Sequence, residues 1–196
     1  MNRSEMSRTR NLTITALMTA VLCILGPIVL PIGPVPISLT NLAIYLALYA
    51  VGTRRALVAY LVYLLLGIAG LPVFSAFEGG PQKLVGPTGG YLIGFILMLL
   101  VAGWFIDRNY QRKLPCILGM ILGLTIAYAL GTLWLSYASG MPLKAAIMAG
   151  VAPFVLEDLA KIAFAAFLGT ALRDRLIRAG LFPGKKHYPL TINQNL

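Results

Sequence analysis

The sequence predicts an all-α integral membrane protein with six transmembrane helices and both termini in the cytoplasm. The first observation is composition, since 59% of the 196 residues are hydrophobic and only 11% are charged. The second is patterning, because charged residues and Pro/Gly clusters divide the chain into six apolar runs, and no Asp, Glu, Lys or Arg occurs between Asn11 and Thr53. The third is that the basic residues lie almost entirely on one side of these runs.

The predicted helices follow the six runs in order. The runs are residues 12–30, 39–52, 56–71, 91–106, 114–137 and 152–172. A helix needs about 20 apolar residues to cross a bilayer, and the second, third and fourth runs are shorter, so either their boundaries are approximate or their helices extend into polar neighbours. We predict one six-helix transmembrane domain, residues 1–180, followed by a cytoplasmic tail, residues 181–196.

The orientation follows from Lys and Arg, which accumulate on the cytoplasmic side of membrane proteins. If the six runs span the membrane, one side holds thirteen of the 16 basic residues and the other holds only Lys83 and Lys144, while Lys161 lies inside a run. The thirteen are Arg3, Arg8, Arg10, Arg54, Arg55, Arg108, Arg112, Lys113, Arg173, Arg175, Arg178, Lys185 and Lys186. Both termini are therefore predicted to be cytoplasmic. The segments predicted to lie outside are residues 31–38, 72–90 and 138–150.

Two of the outer segments have an informative composition. The first contains Pro31, Pro34 and Pro36, which cannot continue a helix and favour an extended crossing. The second, residues 72–90, is long and rich in glycine, and long connections in compact proteins are usually either functional or disordered. Its aromatic residues, which favour packing over disorder, are Phe74, Phe77 and, just after its end, Tyr91.

The last apolar run contains three charged residues, Glu157, Asp158 and Lys161. Charged groups inside a bilayer-spanning helix are costly, so they usually face a partner, a cavity or a ligand. In a helix, Lys161 lies about 40° around the axis from Glu157 and about 60° from Asp158, so one ammonium can reach either carboxylate. If the helix starts near Pro153, Asp158 and Lys161 lie roughly 8 Å and 12 Å below its outer end, beneath residues 72–90.

Three roles remain open for this cluster from the residues alone: a structural ion pair, a proton relay or a solute-binding site. A relay is disfavoured, because no second acid lies in another run and the single histidine, His187, belongs to the predicted tail. Nucleic-acid binding is disfavoured despite a net charge of +10, since the basic residues do not form a patch with interleaved aromatics. Cys23 and Cys116 lie inside apolar runs and indicate neither a disulfide nor a metal site.

Three motifs then occur in order along the chain. They are GLPVF at residues 70–74, GPTGGYLIGF at residues 86–95, and PF at residues 153–154 followed by DLAK at residues 158–161. They resemble the signatures of the BioY family, the substrate-binding S components of energy-coupling factor (ECF) biotin transporters. PVPI at residues 34–37 and GTRR at residues 52–55 are similar to the family pattern as well, so the resemblance spans about residues 12–175.

The resemblance implies an S-component fold of six membrane helices that binds biotin from outside. It also implies assembly in the cell membrane with a transmembrane coupling protein and two cytoplasmic ATPases. The chain itself is expected to be neither an enzyme nor a cofactor carrier, and no catalytic residue or metal ligand is predicted. Residues 180–186 lack the spacing and the Ser or Thr of a phosphate-binding loop, so ATP is expected to be hydrolysed by the partner subunits.

Asp158 and Lys161 match the family's binding motif. Biotin has a ureido group with two N–H donors and one carbonyl acceptor on an apolar bicycle, and a valerate carboxylate at the far end. We predict that Asp158 accepts from a ureido N–H and that Lys161 donates to the ureido oxygen. In the alternative, Lys161 binds the valerate carboxylate. The first is preferred because the charged tail would stay nearer the aqueous mouth.

Four further residues are candidates for ligand binding. Phe74 and Tyr91 could pack on the bicycle, although aromatic residues near helix ends are also typical of the membrane interface. Gln82 or Asn41 could supply an amide to a polar ligand atom. The connection formed by residues 72–90 is predicted to act as a lid.

The chain departs from the family pattern at two places. Glu157 occupies a position where a small or apolar residue is expected, and its role is left open. The sequence GGPQK at residues 79–83 is also unlike the usual loop, which puts the polar contacts expected of that loop in question.

The first run carries a predicted coupling surface. Ala16 and Ala20 are four residues apart on one helix face, and small residues at this spacing permit close helix approach in lipid. The pattern resembles the one that S components use against the coupling protein, and ordinary internal packing is the alternative. Gly119 and Gly123 have the same spacing in the fifth run and are interpreted as internal packing.

Other functions stay open beside biotin uptake. Within transport, these are an S component for another small vitamin and a stand-alone carrier. A different class is an intramembrane hydrolase that uses Glu157 and Asp158 as acid and base. That alternative is weakened because no His, Cys or Ser cluster offers a metal site or an activated nucleophile near them.

Overall fold

The computed structural model describes residues 3–30, 35 and 37–181. Its helices are α1 Arg3–Leu25, α2 Thr40–Val51, α3 Thr53–Ile68, α4 Gln82–Val85, α5 Gly89–Asn109, α6 Lys113–Ser139, α7 Leu143–Gly150 and α8 Val155–Arg178. The remaining elements are a 3₁₀ turn, Ser75–Phe77, and two short strands, β1 Val29–Leu30 and β2 Ile37–Ser38. Pro31, Pro34, Pro36 and the predicted tail from residue 182 lie outside the described residues.

Six helices overlap the six apolar runs, but the first helix ends at Leu25, and Val29–Leu30 at the end of the first run form β1 instead of helix. The six helices are α1, α2, α3, α5, α6 and α8. By length and apolar composition alone, α5 and α6 are long enough to cross a membrane, while residues Thr9–Leu25 and α2 form shorter apolar helices. The expected extension occurs in α5, which has 21 residues, but α2 has only 12. The mostly helical fold is confirmed, and the number of spans stays a prediction.

Helix α2 lies at the centre of the described fold. Ten of its 12 residues are buried, as expected of a helix that is apolar on every side. It packs against α1, α3, α5 and α8. Consequently the polar residue in its first turn, Asn41, is only 4% exposed and faces the interior between these helices.

The outer connection between α3 and α5 is anchored to α3. Phe74 is fully buried, with its ring 5.5 Å from the ring of Tyr63 in an edge-to-face arrangement. A Cβ at Gly67 would overlap the Phe74 ring, so the absence of a side chain at this position creates the space for the aromatic ring. The packing expected of the aromatic residues in this connection is therefore observed at Phe74, whereas Phe77 is 67% exposed.

The structure differs from the sequence-based expectation near the start of α8. Helix α6 continues to Ser139 and α7 follows, so residues 138–150, which were predicted only to lie outside, contain a helix. Helix α8 begins at Val155, two residues after Pro153. The reason is a turn in which the Phe154 N–H donates to the Val151 carbonyl at 2.9 Å.

An ion pair between a buried arginine and a partly exposed aspartate joins three helices at the end of the bundle that carries most of the basic residues. Arg173 of α8 is 3% exposed, and its Nη2 lies 3.1 Å from Asp107 Oδ1 in the last turns of α5. Asp107 Oδ2 accepts from the Thr53 N–H at 3.0 Å and from the Thr53 hydroxyl at 2.7 Å. It therefore satisfies a backbone donor at the start of α3 that has no intrahelical partner.

Large apolar side chains cover the outer faces of the helices. Examples with at least half of their surface exposed are Leu65 (64%), Leu118 (54%), Leu133 (58%), Leu156 (82%) and Phe167 (68%). A soluble monomer rarely exposes apolar patches beyond a few hundred Å². The outer surface is therefore suited to contact with lipid.

Candidate functional site

A cavity of about 630 Å³ lies where α2, α5, α6 and α8 meet the outer connections. This volume includes space that is open to solvent. Its walls are formed by Val35, Ser38, Thr40, Asn41, Tyr63, Ser75, Thr88, Tyr91, Leu92, Phe95, Tyr128, Gly150, Phe154, Glu157, Asp158 and Lys161. The three charged residues of the last run thus share one cavity with apolar, aromatic and hydroxyl side chains.

Lys161 contacts three acceptors at once. Its Nζ donates to the Ser38 carbonyl at 2.5 Å and to Asp158 Oδ1 at 3.2 Å, and it forms an ion pair with Glu157 Oε1. The prediction that one ammonium can reach either carboxylate is confirmed, and Lys161 contacts both at once. An ammonium has three N–H donors, so these contacts occupy all of them.

Asp158 is held by one side chain from each of the helices α2, α6 and α8. Its Oδ1 accepts from Asn41 Nδ2 at 2.6 Å, and its Oδ2 accepts from the Tyr128 hydroxyl at 2.5 Å. Lys161 is its ionic partner at 3.2 Å. Asp158 and Lys161 are only 5% and 8% exposed, and a buried charge is tolerated when it is paired and hydrogen-bonded in this way.

Glu157 is bound less completely than Asp158. One carboxylate oxygen pairs with Lys161, while Oε2 is buried and has no hydrogen-bond partner in the described part of the chain. Its side chain is 28% exposed, compared with 7% for the side chain of Asp158. Glu157 therefore sits at the edge of the charged cluster.

Two of the four weaker candidates line the cavity. Asn41 does so while it donates to Asp158. Tyr91 also lines it, and its hydroxyl lies 2.9 Å from the Gly150 carbonyl, to which it donates, and 3.3 Å from Thr132 Oγ1. The Tyr91 ring rests on Gly131, where a Cβ would overlap it.

The other two weaker candidates, Phe74 and Gln82, are not among the residues that form the cavity wall. Phe74 is fully buried beside Tyr63. Gln82 is exposed and donates from Nε2 to the carbonyl of Gly79 at 2.6 Å, within its own connection. The structure therefore brings Asn41 and Tyr91 to the charged pair but not Phe74 or Gln82.

Tyr128 is the main site residue that the sequence reasoning missed. It lies in the middle of α6, within a long apolar run, and its hydroxyl makes the shorter of the two side-chain contacts to Asp158 from other helices. A single tyrosine hydroxyl in such a run is only a weak indication of a binding site. Nothing in its spacing relates it to Asp158, which follows 30 positions later.

The predicted coupling residues lie on an open face of α1. Ala16 and Ala20 are both exposed, whereas Thr19 between them is buried. Thr19 donates to the Ala59 carbonyl of α3 at 3.3 Å, so α1 packs on the bundle through its other face. Gly119 and Gly123 differ, because a Cβ at either would meet Phe105 or Met98 of α5.

Within residues 3–30, 35 and 37–181, no three His, Cys, Asp or Glu side chains lie close enough together to hold a metal ion. The chemistry available to the site is therefore hydrogen bonding, ion pairing and apolar contact from the chain's own residues. An ammonium and a carboxylate, side by side above apolar walls, suit a small ligand that carries both an acceptor and a donor.

Comparisons with known proteins identify relatives of the chain. The family model described as the BioY family matches residues 1–178. The biotin transporter BioY2 of Lactococcus lactis is 35% identical over 162 residues, which are 83% of this chain and 89% of the relative. The biotin transporter BioY of Thermotoga maritima is 39% identical over 164 residues, which are 84% of this chain and 96% of the relative.

The fold has a solved counterpart as well. A crystal structure described as the S-component for biotin from an ECF-type ABC transporter matches with a TM-score of 0.79 and 29% identity. The match covers 89% of this chain and 95% of that chain. With a family model that extends over residues 1–178 and relatives that align over more than four-fifths of its length, the chain belongs to the BioY family.

Proposed function

We propose that this chain captures biotin at the outer face of the cell membrane as the S component of an ECF-type transporter. One observation carries the proposal: in a BioY-family chain, Asp158 and Lys161 lie paired in a cavity of about 630 Å³. The chain is a transporter component and not an enzyme, which removes the hydrolase alternative. Transport then requires capture of biotin, followed by reorientation that is driven by ATP hydrolysis in partner subunits.

The ligand orientation follows from the chemistry of the cavity. The carboxylate of Asp158 accepts from a ureido N–H, and the ammonium of Lys161 donates to the ureido oxygen. Because Asn41 and Tyr128 already hold the Asp158 carboxylate, little rotamer freedom is lost when the ligand binds. The bicycle packs on apolar walls such as Phe95, and the valerate carboxylate points to the mouth. In the alternative orientation, Lys161 binds that carboxylate.

The outer connection, residues 72–90, serves as the lid of this site. Ser75 and Thr88, which lie near its two ends, both line the cavity. The segment is tied down at Phe74 by burial and at Gly86, whose carbonyl accepts from Trp134 Nε1 at 2.9 Å. Between these anchors the Gly80 N–H donates to the Gly67 carbonyl of α3 at 2.7 Å, so opening of the lid requires release of this hydrogen bond.

Family membership makes the chain a membrane protein, and the six long helices are proposed to be its spans. The exposed apolar side chains on their outer faces support this placement. The thirteen basic residues on one side of the runs put both termini in the cytoplasm by the charge bias of membrane proteins. The cavity then opens toward the outside, where the substrate is captured.

Calorimetric titration of the detergent-purified chain tests the proposed ligand. Biotin should bind at a single site, while other water-soluble vitamins should not. The methyl ester of biotin should bind nearly as well as biotin if Lys161 contacts the ureido group, because the ester removes only the tail charge. Absence of biotin binding by the intact protein would contradict the function, and loss of binding with the ester alone would assign Lys161 to the valerate carboxylate.

The transmembrane coupling protein and the two ATPases are proposed partners, and Ala16 and Ala20 are the proposed contact on α1. Replacing either alanine by leucine should leave biotin binding intact and weaken co-purification with the coupling protein about tenfold or more, since bulk prevents close helix approach. The control is Ala163→Leu, at an exposed position of α8. If all three variants co-purify equally with the coupling protein, Ala16 and Ala20 are not the contact.

A further inference from the structure

We propose that Glu157 is an internal competitor of the ligand, because its carboxylate takes the N–H of Lys161 that the ureido oxygen of biotin would use. The inference rests on the proposed function and adds an affinity-determining residue to that site. Glu157 is also the charged residue of the cluster that the family motif does not include. Its effect is to lower the affinity of the cavity without contributing to recognition.

All three N–H donors of Lys161 are already engaged, so none is free for a ligand. Its three N–H groups face the Ser38 carbonyl, Asp158 and Glu157, and an ammonium has no fourth donor. A ligand acceptor can bind Lys161 only if one of these three contacts is released. The geometry of the three acceptors decides which one it is.

Two of the acceptors are fixed. The Ser38 carbonyl belongs to the backbone of β2, which pairs with β1 in register Val29 with Ser38. Asp158 is held in place by Asn41 and Tyr128 at 2.6 Å and 2.5 Å. Neither acceptor can move away without breaking other hydrogen bonds.

Glu157 is the acceptor that can leave. Its Oε2 has no hydrogen-bond partner in the described part of the chain, so rotation of the carboxylate breaks only the contact to Lys161. Its side chain is 28% exposed, which allows water to hydrate the released charge. The adjacent carboxylate of Asp158, which lines the same cavity, repels it in addition.

Titrations of Glu157→Gln and Glu157→Ala with biotin and with biotin methyl ester test the proposal. Both variants should bind biotin more tightly than the wild type, by about tenfold, which corresponds to about 1.4 kcal/mol. The ester should gain by the same factor as biotin, because the competition concerns the head group that both ligands share. Asp174→Asn is the matched control, since it removes one negative charge from the same helix at a residue outside the cavity wall, and it should leave both affinities unchanged.

Three results would overturn the inference. These are unchanged or weaker binding by both Glu157 variants, a gain for biotin without a gain for the ester, and an equal gain in Asp174→Asn. The second would mean that Glu157 acts by repelling the valerate carboxylate, and the third that the gain reflects net charge alone. Failure of the wild type to bind biotin would instead contradict the proposed function. Thermal unfolding without ligand verifies that each variant is folded.

Discussion

Lys161→Ala and Asp158→Asn are expected to abolish biotin binding in calorimetric titration. Lys161→Ala leaves the carboxylates of Glu157 and Asp158 without their ammonium, and Asp158→Asn removes the acceptor proposed for the ureido N–H, in a site where Asp158 and Lys161 are 5% and 8% exposed. Truncating one partner of a buried, hydrogen-bonded charge pair in a binding site costs about 2–5 kcal/mol or more, which corresponds to a loss of at least about 30-fold in affinity. The loss should appear equally with biotin and its methyl ester, because both present the ureido group to the pair.

The matched controls are Lys144→Ala and Asp174→Asn. Lys144 is an exposed residue of α7, and neither residue lines the cavity. Both controls should bind biotin as the wild type does. Wild-type affinity in Lys161→Ala would contradict the role assigned to the ammonium and would return the cluster to a purely structural ion pair. Thermal unfolding of the two site variants separates lost binding from lost folding.

The charged pair was predictable from sequence because it depends on a short-range rule. Residues three and four positions apart share a helix face, so Lys161 had to lie near Asp158 and Glu157 once the run was helical. The partners from other helices follow no such rule. Tyr128 and Asn41 reach Asp158 across 30 and 117 positions, and only the packing of α2, α6 and α8 brings them together.

The long helices were predictable for a similar reason, since apolar runs indicate helices without any knowledge of packing. The short elements were not. Helix α7 has eight residues and lies in a segment that was predicted only to lie outside. Helix α2 is about 18 Å long at 1.5 Å per residue, shorter than the hydrocarbon thickness of about 30 Å. Its position at the centre of the bundle compensates, because its neighbours cover it.

Two residues show how packing changes the meaning of a sequence feature. Phe74 was a candidate for ligand binding, and the space above Gly67 places it in the core instead. Arg173 counted among the basic residues at the cytoplasmic side, and the structure leaves only 3% of it exposed. In both cases the deciding partner, Gly67 or Asp107, cannot be identified from the run in which the residue lies.

Asp107→Ala is therefore expected to destabilise the protein more than any loss of an exposed ion pair. It removes the counter-charge of buried Arg173 and the acceptor of the Thr53 N–H at the start of α3. Because the Asp107 side chain is 36% exposed, water can replace part of the interaction. We expect a loss of about 2–3 kcal/mol, below the about 3–5 kcal/mol of a fully buried pair, and a fall of about 5–10 °C in the unfolding temperature.

Glu78→Ala is the matched control, since it breaks a 2.8 Å pair with Lys83 in which Glu78 is 56% exposed. An exposed pair contributes about 0–1 kcal/mol, so its unfolding temperature should hardly change. The double variant Asp107→Ala/Arg173→Met also removes the guanidinium that Asp107 neutralises, so part of the lost stability should return. Equal unfolding temperatures for Asp107→Ala and Glu78→Ala would mean that Arg173 does not depend on Asp107. The contacts of Arg173 with the Ile106 carbonyl and the Tyr110 ring would then suffice to hold the guanidinium.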